Sequence, residues 1–139
     1  MSPYPRIRFL TAAEHAADRV DSVVVLANNV DPLAQRDAIA RAQRVELHFP
    51  SFTDGRAYSQ AYLLRRRLGF TGDLRATGDV LADQLIQMER TGFSSAVLND
   101  GVDTADALRQ LERFPAFYQG DVLRDARFRL MEESTDTAA

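Results

Sequence analysis

Four short polar segments, each following an apolar run, carry the residues with most chemistry to offer: Asn28-Asn29, Pro50–Arg56, Thr77-Gly78-Asp79 and Asn99-Asp100-Gly101. Three of them set a carboxylate beside a glycine. Asp54, Asp79 and Asp100 around one rim could hold Mg²⁺ through oxygen ligands, with His48 or Asp83 as the base. The competing and commoner role for such aspartates is to cap helices, which suits Asp54, Asp79 and Asp103. Gly55-Arg56-Ala57-Tyr58-Ser59 opens a helix directly after a strand. Free amides there suit an anion, with Arg56 as a fork-shaped clamp.

A second cluster comes from alternation. Fully covered parallel strands usually read as continuous apolar runs. Val45-Glu46-Leu47-His48-Phe49 and Leu74-Arg75-Ala76-Thr77 alternate instead, so Glu46, His48 and Arg75 fall on one face if these strands are neighbours. Glu46 and Arg75 would then form an ion pair, and His48 beside a carboxylate would suit acid-base work. The structural alternative, which we prefer, is a face open to solvent or covered by a partner subunit. Arg65-Arg66-Arg67 reads as a solvated helix end favourable to the helix dipole. His15 lies in an Ala-rich stretch and reads as incidental. Phe52, Phe70 and Phe93 read as packing plugs between units.

Much chemistry is excluded. With no cysteine there are no disulfides, thiolate metal sites or thiol nucleophiles. Every basic residue is arginine, so Schiff-base and P-loop lysines are absent. Neither G-x-G-x-x-G nor a Walker sequence occurs, and Ser59 sits in no nucleophile elbow. The two histidines are not at metal-binding spacing. No motif identifies a cofactor.

These residues need elements to position them. Val23–Ala27, Val45–Phe49, Asp73–Thr77 and Ser94–Leu98 read as strands. Each is followed by a helical pattern: Pro32–Gln43 behind the Asp31 cap, Arg56–Leu68 ended by Gly69, Val80–Thr91 ended by Gly92, and a helix from Asp103. Residues 1–22 form an arm with a short strand at Arg6–Leu10, residues 23–131 the α/β domain, and 132–139 a polar, disordered tail. Phe117–Gln119 reads as a last edge strand. The alternation predicts a four- to five-stranded, mostly parallel sheet, either open and doubly wound or half-barrel-like. Eight units would be needed for a closed barrel. An uncovered edge predicts a homodimer.

A net charge of −3 makes no electrostatic case for nucleic acid. No apolar run is long enough to span a bilayer, and no secretory signal is recognisable. The expected compartment is the cytoplasm.

The segments Phe49–Ser59, Leu63–Gly69 and Gly72–Gln84 together resemble a bacterial domain-of-unknown-function family, number nine-three-four in its series, over roughly residues 45–98. Members are commonly encoded beside the assimilatory sulfite reductase haemoprotein and are often labelled oxidoreductases. The resemblance implies a role in sulfur assimilation and brings no established catalytic residues. Where the family often shows Arg-Cys-Gly-Phe, this chain has Arg90-Thr91-Gly92-Phe93, so a thiol mechanism does not carry over. The expectation that follows is an accessory factor binding the reductase, or a small anion such as sulfite, at a rim of Asp54, Arg56, Tyr58, Arg75, Asp79 and Gln84. The rivals are a Mg²⁺-dependent half-barrel enzyme and a structural homo-oligomer.

Overall fold

The computed structural model describes residues 6–113. Phe117–Gln119 and the tail lie outside the described residues. Five strands, β1 (Arg8–Leu10), β2 (Val23–Leu26), β3 (Arg44–Phe49), β4 (Asp73–Gly78) and β5 (Ser95–Val97), form one wholly parallel sheet in the order β1-β5-β4-β3-β2. The sheet is open, not a closed barrel, and five helices flank it: α1 (Ala12–Ala17), α2 (Arg36–Ala40), α3 (Arg56–Tyr62), α4 (Leu85–Thr91) and α5 (Thr104–Arg113).

The strands form where β-branched and apolar residues cluster, and their ends follow local chemistry. Asp31 accepts a hydrogen bond from the Leu33 amide, with Pro32 at the first position of a 3-10 turn over Pro32–Gln35 that leads into α2. Gly92 ends α4 in the left-handed region at φ 116°. The three longer helices expected from periodicity are composite. The 3-10 turn precedes α2, a π turn over Leu63–Arg67 extends α3, and a 3-10 turn over Ala82–Gln84 precedes α4. Arg65, in that π turn, donates to the carbonyls of Phe70, Gly72 and Gly92. It ties the helix end to the loop before β4 and the end of α4, and is not merely a solvated charge.

The two sheet faces differ. On one face Val45, Leu47, Phe49, Leu74, Ala76 and Ala96 are buried against Ile39 of α2, Ala57 and Ala61 of α3, Leu85 and Met88 of α4 and Ala107 of α5. Each such large side chain removed from water contributes roughly 1.5–3 kcal/mol. Tyr58 packs edge-on against Phe49 and Phe93 within this core, and those two rings are tilted to each other, at centroid separations of 5.1 to 6.2 Å. Phe70 and Phe93 are buried plugs, as expected. Phe52 is a correction: it is 48% exposed.

The other face carries Arg8, Arg44, Glu46, His48, Asp73, Arg75 and Thr77, and α1 lies across it, joined by His15 and Asp18. This follows from β1 pairing with β5 at one edge while β2 holds the other, so the β1-α1-β2 connection must span the sheet. The β1 edge is anchored by Glu89 of α4, whose buried carboxylate accepts from the Ile7 amide at 3.0 Å and Arg6 Nε at 2.9 Å. Among the described residues no helix is long and apolar enough to cross a membrane.

Candidate functional site

The C-terminal strand ends form a polar rim joined by two matching bridges. After β2, Asn28 donates from Nδ2 to the Asp54 carboxylate in the loop after β3. After β5, Asn99 donates from Nδ2 to the Asp79 carboxylate after β4, at 2.7 Å. The other Asp79 oxygen accepts from the Phe52 amide at 2.9 Å. Gln84 accepts from the Leu81 amide at 3.0 Å and donates to the Phe52 carbonyl at 2.7 Å. Both backbone polar groups of Phe52 are therefore held by side chains from the next βα unit, while its ring stands out into solvent.

Arg56 turns back on Asp54. Its Nη2 lies 2.9 Å and its Nε 3.2 Å from that carboxylate, and its amide donates to the same group at 3.0 Å. These bonds hold the Asp54 carboxyl below its ordinary range, the side-chain bond from Arg56 having the largest effect. Asp54 thus orients the arginine and serves the start of α3. Asp103 caps α5 as expected, accepting from the Ala105 amide at 2.9 Å. Asp79 does not cap the helix that follows it. Its oxygens make tertiary bonds, and the turn begins only at Ala82.

Tyr58 lies half-buried between Phe49 and Phe93. Burial, helped by the nearby charge of Asp83, pushes its hydroxyl up to about 12. That hydroxyl has no hydrogen-bond partner among the described residues. Gln60, which the sequence reading passed over, is buried and donates from Nε2 to the carbonyls of Ala27 and Val30, at 2.7 Å each. It fixes the loop that presents Asn28. Asn28 and Asn99 were legible only as strand-end turn residues, since nothing local announces a bridge to a carboxylate elsewhere in the chain.

The rim therefore gathers Asp54, Arg56, Asp79 and Gln84. Arg75 is not there: it is wholly buried at the middle of β4, on the charged face. Glu46 does sit opposite Arg75 in the sheet register, yet the expected ion pair gives way to others. Glu46 pairs with Arg44 at 3.0 Å, and Arg75 with Asp18 at 2.6 Å and Asp73 at 3.1 Å. His15 is not incidental, since its Nδ1 lies 2.9 Å from Arg75 Nη1. A guanidinium only donates, so this nitrogen accepts and the ring proton sits on Nε2, 3.9 Å from Glu46. His48 is exposed, with Thr77 as its 3.5 Å polar neighbour.

The metal reading fails on geometry. Among the described residues no three His, Asp or Glu side chains are grouped to hold a metal ion, so Asp54, Asp79 and Asp100 do not form the expected triad. The first two spend their oxygens on Arg56, Asn28, Phe52 and Asn99, and Asp83 and Asp100 are exposed.

Fold and site together define a one-sheet parallel α/β domain whose strand-end loops are cross-braced by Asn-Asp bridges. Residues 23–128 match the family model described as "Bacterial protein of unknown function (DUF934)", and the chain belongs to that family. Comparison with curated proteins finds no match, and comparison with solved structures finds none either.

Proposed function

We propose that this protein is a cytoplasmic accessory factor of sulfite reduction that docks on the sulfite reductase through its strand-end rim, with Phe52 as the central anchor. The observation that carries the reading is the exposed Phe52 ring on a backbone locked by Asp79 and Gln84. Rigid exposed aromatics with little entropy left to lose are the usual anchors of protein interfaces. The rim carboxylates and amides are largely satisfied by one another, which suits a polar surround better than a catalytic centre. Family membership supplies the choice of partner, through the resemblance to proteins encoded beside that reductase. A pull-down of sulfite reductase by the tagged protein tests the proposal. Phe52→Ala is expected to weaken capture at least tenfold while leaving the fold intact. Undiminished capture by the variant, or no capture by the parent, would sink it.

A second reading, a structural homo-oligomer, is favoured by the β2 edge, where Val23 is 38% and Val25 63% exposed. Pairing of two such edges would bury them. Light scattering tests this: the parent runs as a dimer and Val25→Glu as a monomer.

A further inference from the structure

Under α1 the sheet buries arginines where a parallel sheet ordinarily carries apolar side chains. Arg44 and Arg75 are 5% and 0% exposed. They come from adjacent strands and meet at one carboxylate oxygen. Oδ2 of Asp18 lies 2.6 Å from Nη2 of Arg75 and 3.6 Å from Nη1 of Arg44. Arg8, whose guanidinium reaches Asp73 at 3.8 Å, adds to the positive field there. The Asp18 carboxyl is held below its ordinary range, chiefly by the hydrogen bond from Arg75.

The element that delivers this carboxylate is weakly anchored. α1 has six residues and no buried side chain, and Ala12, Ala13, Ala16 and Ala17 are all exposed. Helices that short are not stable alone. Apart from its own Thr11–Glu14 capping box, the side-chain bonds that join it to the sheet are those of His15 and Asp18 to Arg75 and one from Arg44 Nη1 to the Asp18 carbonyl, at 3.0 Å. The Asp18 side chain is itself 36% exposed, so solvent already reaches the position it fills. Without it, three guanidiniums face two carboxylates, Asp73 and Glu46, beside the buried hydroxyl of Ser95 that Arg75 Nε contacts at 2.8 Å.

The geometry points to an oxyanion site beneath α1, in which an inorganic anion of the sulfate, sulfite or phosphate type takes the place of the Asp18 carboxylate between Arg44 and Arg75 and lifts α1 from the sheet. Such an anion offers the same acceptor oxygens with more charge, and bonds from guanidinium to oxyanion are among the strongest of their kind. Asp18 is then an internal ligand, and α1 a strap that closes the site when it is empty.

The test compares thermal unfolding of the full chain and of Asp18→Asn, which keeps the side-chain shape and removes the charge. Each is measured in sodium phosphate, in sodium sulfate and in sodium chloride of matched ionic strength. In chloride the variant should melt below the parent. Millimolar phosphate or sulfate should raise its midpoint by several degrees, more than for the parent, and adding Arg44→Gln should abolish that gain. Equal gains in chloride, or equal gains for parent and variant, overturn the site. If the variant does not fold, phosphate titration of the parent followed by amide NMR decides. The site requires shifts at Ala16, Ala17 and Ser95 with Asn28 and Asn99 unmoved, and a response confined to the rim, or none, overturns it.

Discussion

Arg75, wholly buried at the centre of β4, donates to the carboxylate of Asp18 at 2.6 Å, across a separation of 57 residues. The same guanidinium also reaches Ser95, His15 and Asp73. One side chain of β4 thus ties β5 and the end of α1 to the charged face.

Replacing Arg75 by methionine should therefore destabilise the fold by roughly 3 kcal/mol, the lower end of the range for removing one partner of a buried charge network. The lower end applies because the stranded carboxylates of Asp18 and Asp73 remain 36% and 25% exposed and can hydrate. Urea unfolding monitored by circular dichroism measures the loss.

Acid should act through Asp18 and Asp54. Both are held below 3.8 in the folded chain, so the stability each contributes is present above that value and lost as pH falls beneath it. Asp18→Asn should be less stable than the parent at pH 7, and the two stability curves should converge below about pH 4. Urea midpoints across that range show whether they do.

At the alkaline end the sign is opposite. Tyr58 ionises at about 12 when folded, against 10 for an ordinary tyrosine. The stability it contributes is complete below pH 10 and disappears as pH rises towards 12. Tyr58→Phe should abolish that alkaline loss. At pH 7 it should be neutral or stabilising by up to about 1 kcal/mol, because the buried hydroxyl it deletes has no partner among the described residues. Tyrosine absorbance near 295 nm and the unfolding midpoint measure the two effects separately.

Two glycines at the rim should respond in opposite ways to alanine. Gly78 has φ of 95°, and an added Cβ would stand 2.3 Å from the Phe49 carbonyl oxygen. Gly78→Ala should cost roughly 2 kcal/mol or more, since both conformation and space forbid it. Gly55 has φ of −89° and nothing within 4 Å of its Cβ position. Gly55→Ala should be neutral or stabilising by about 0.4–1 kcal/mol. Thermal melts of the two variants check the contrast.

The elements were legible in the sequence because their causes are local. A β-branched run marked β2, short segments bounded by turn residues marked β3, β4 and β5, all to within a residue or two, and Asp31, Pro32, Gly92 and Asp103 marked ends where the structure has them. Alternation in β3 and β4 correctly set Glu46, His48 and Arg75 on one face, because side chains along a strand alternate with a period of two. Asp54, Asp79 and Gln84 come together because loops after parallel strands gather at one end of the sheet.

What only the tertiary structure decided is who pairs with whom across those elements. The parallel register brings Glu46 opposite Arg75, yet each found a different partner, because β1 takes the edge beyond β5 and so carries α1, with His15 and Asp18, over the charged face. Strand order is a property of the assembled sheet, which no run of neighbouring residues encodes. The same holds for Asp79, which reads locally as a helix cap but is drawn off by the Phe52 amide 27 residues away. A carboxylate accepts from whichever donors the fold brings within 3 Å, so composition and spacing determined which groups this protein has, and packing determined what each of them holds.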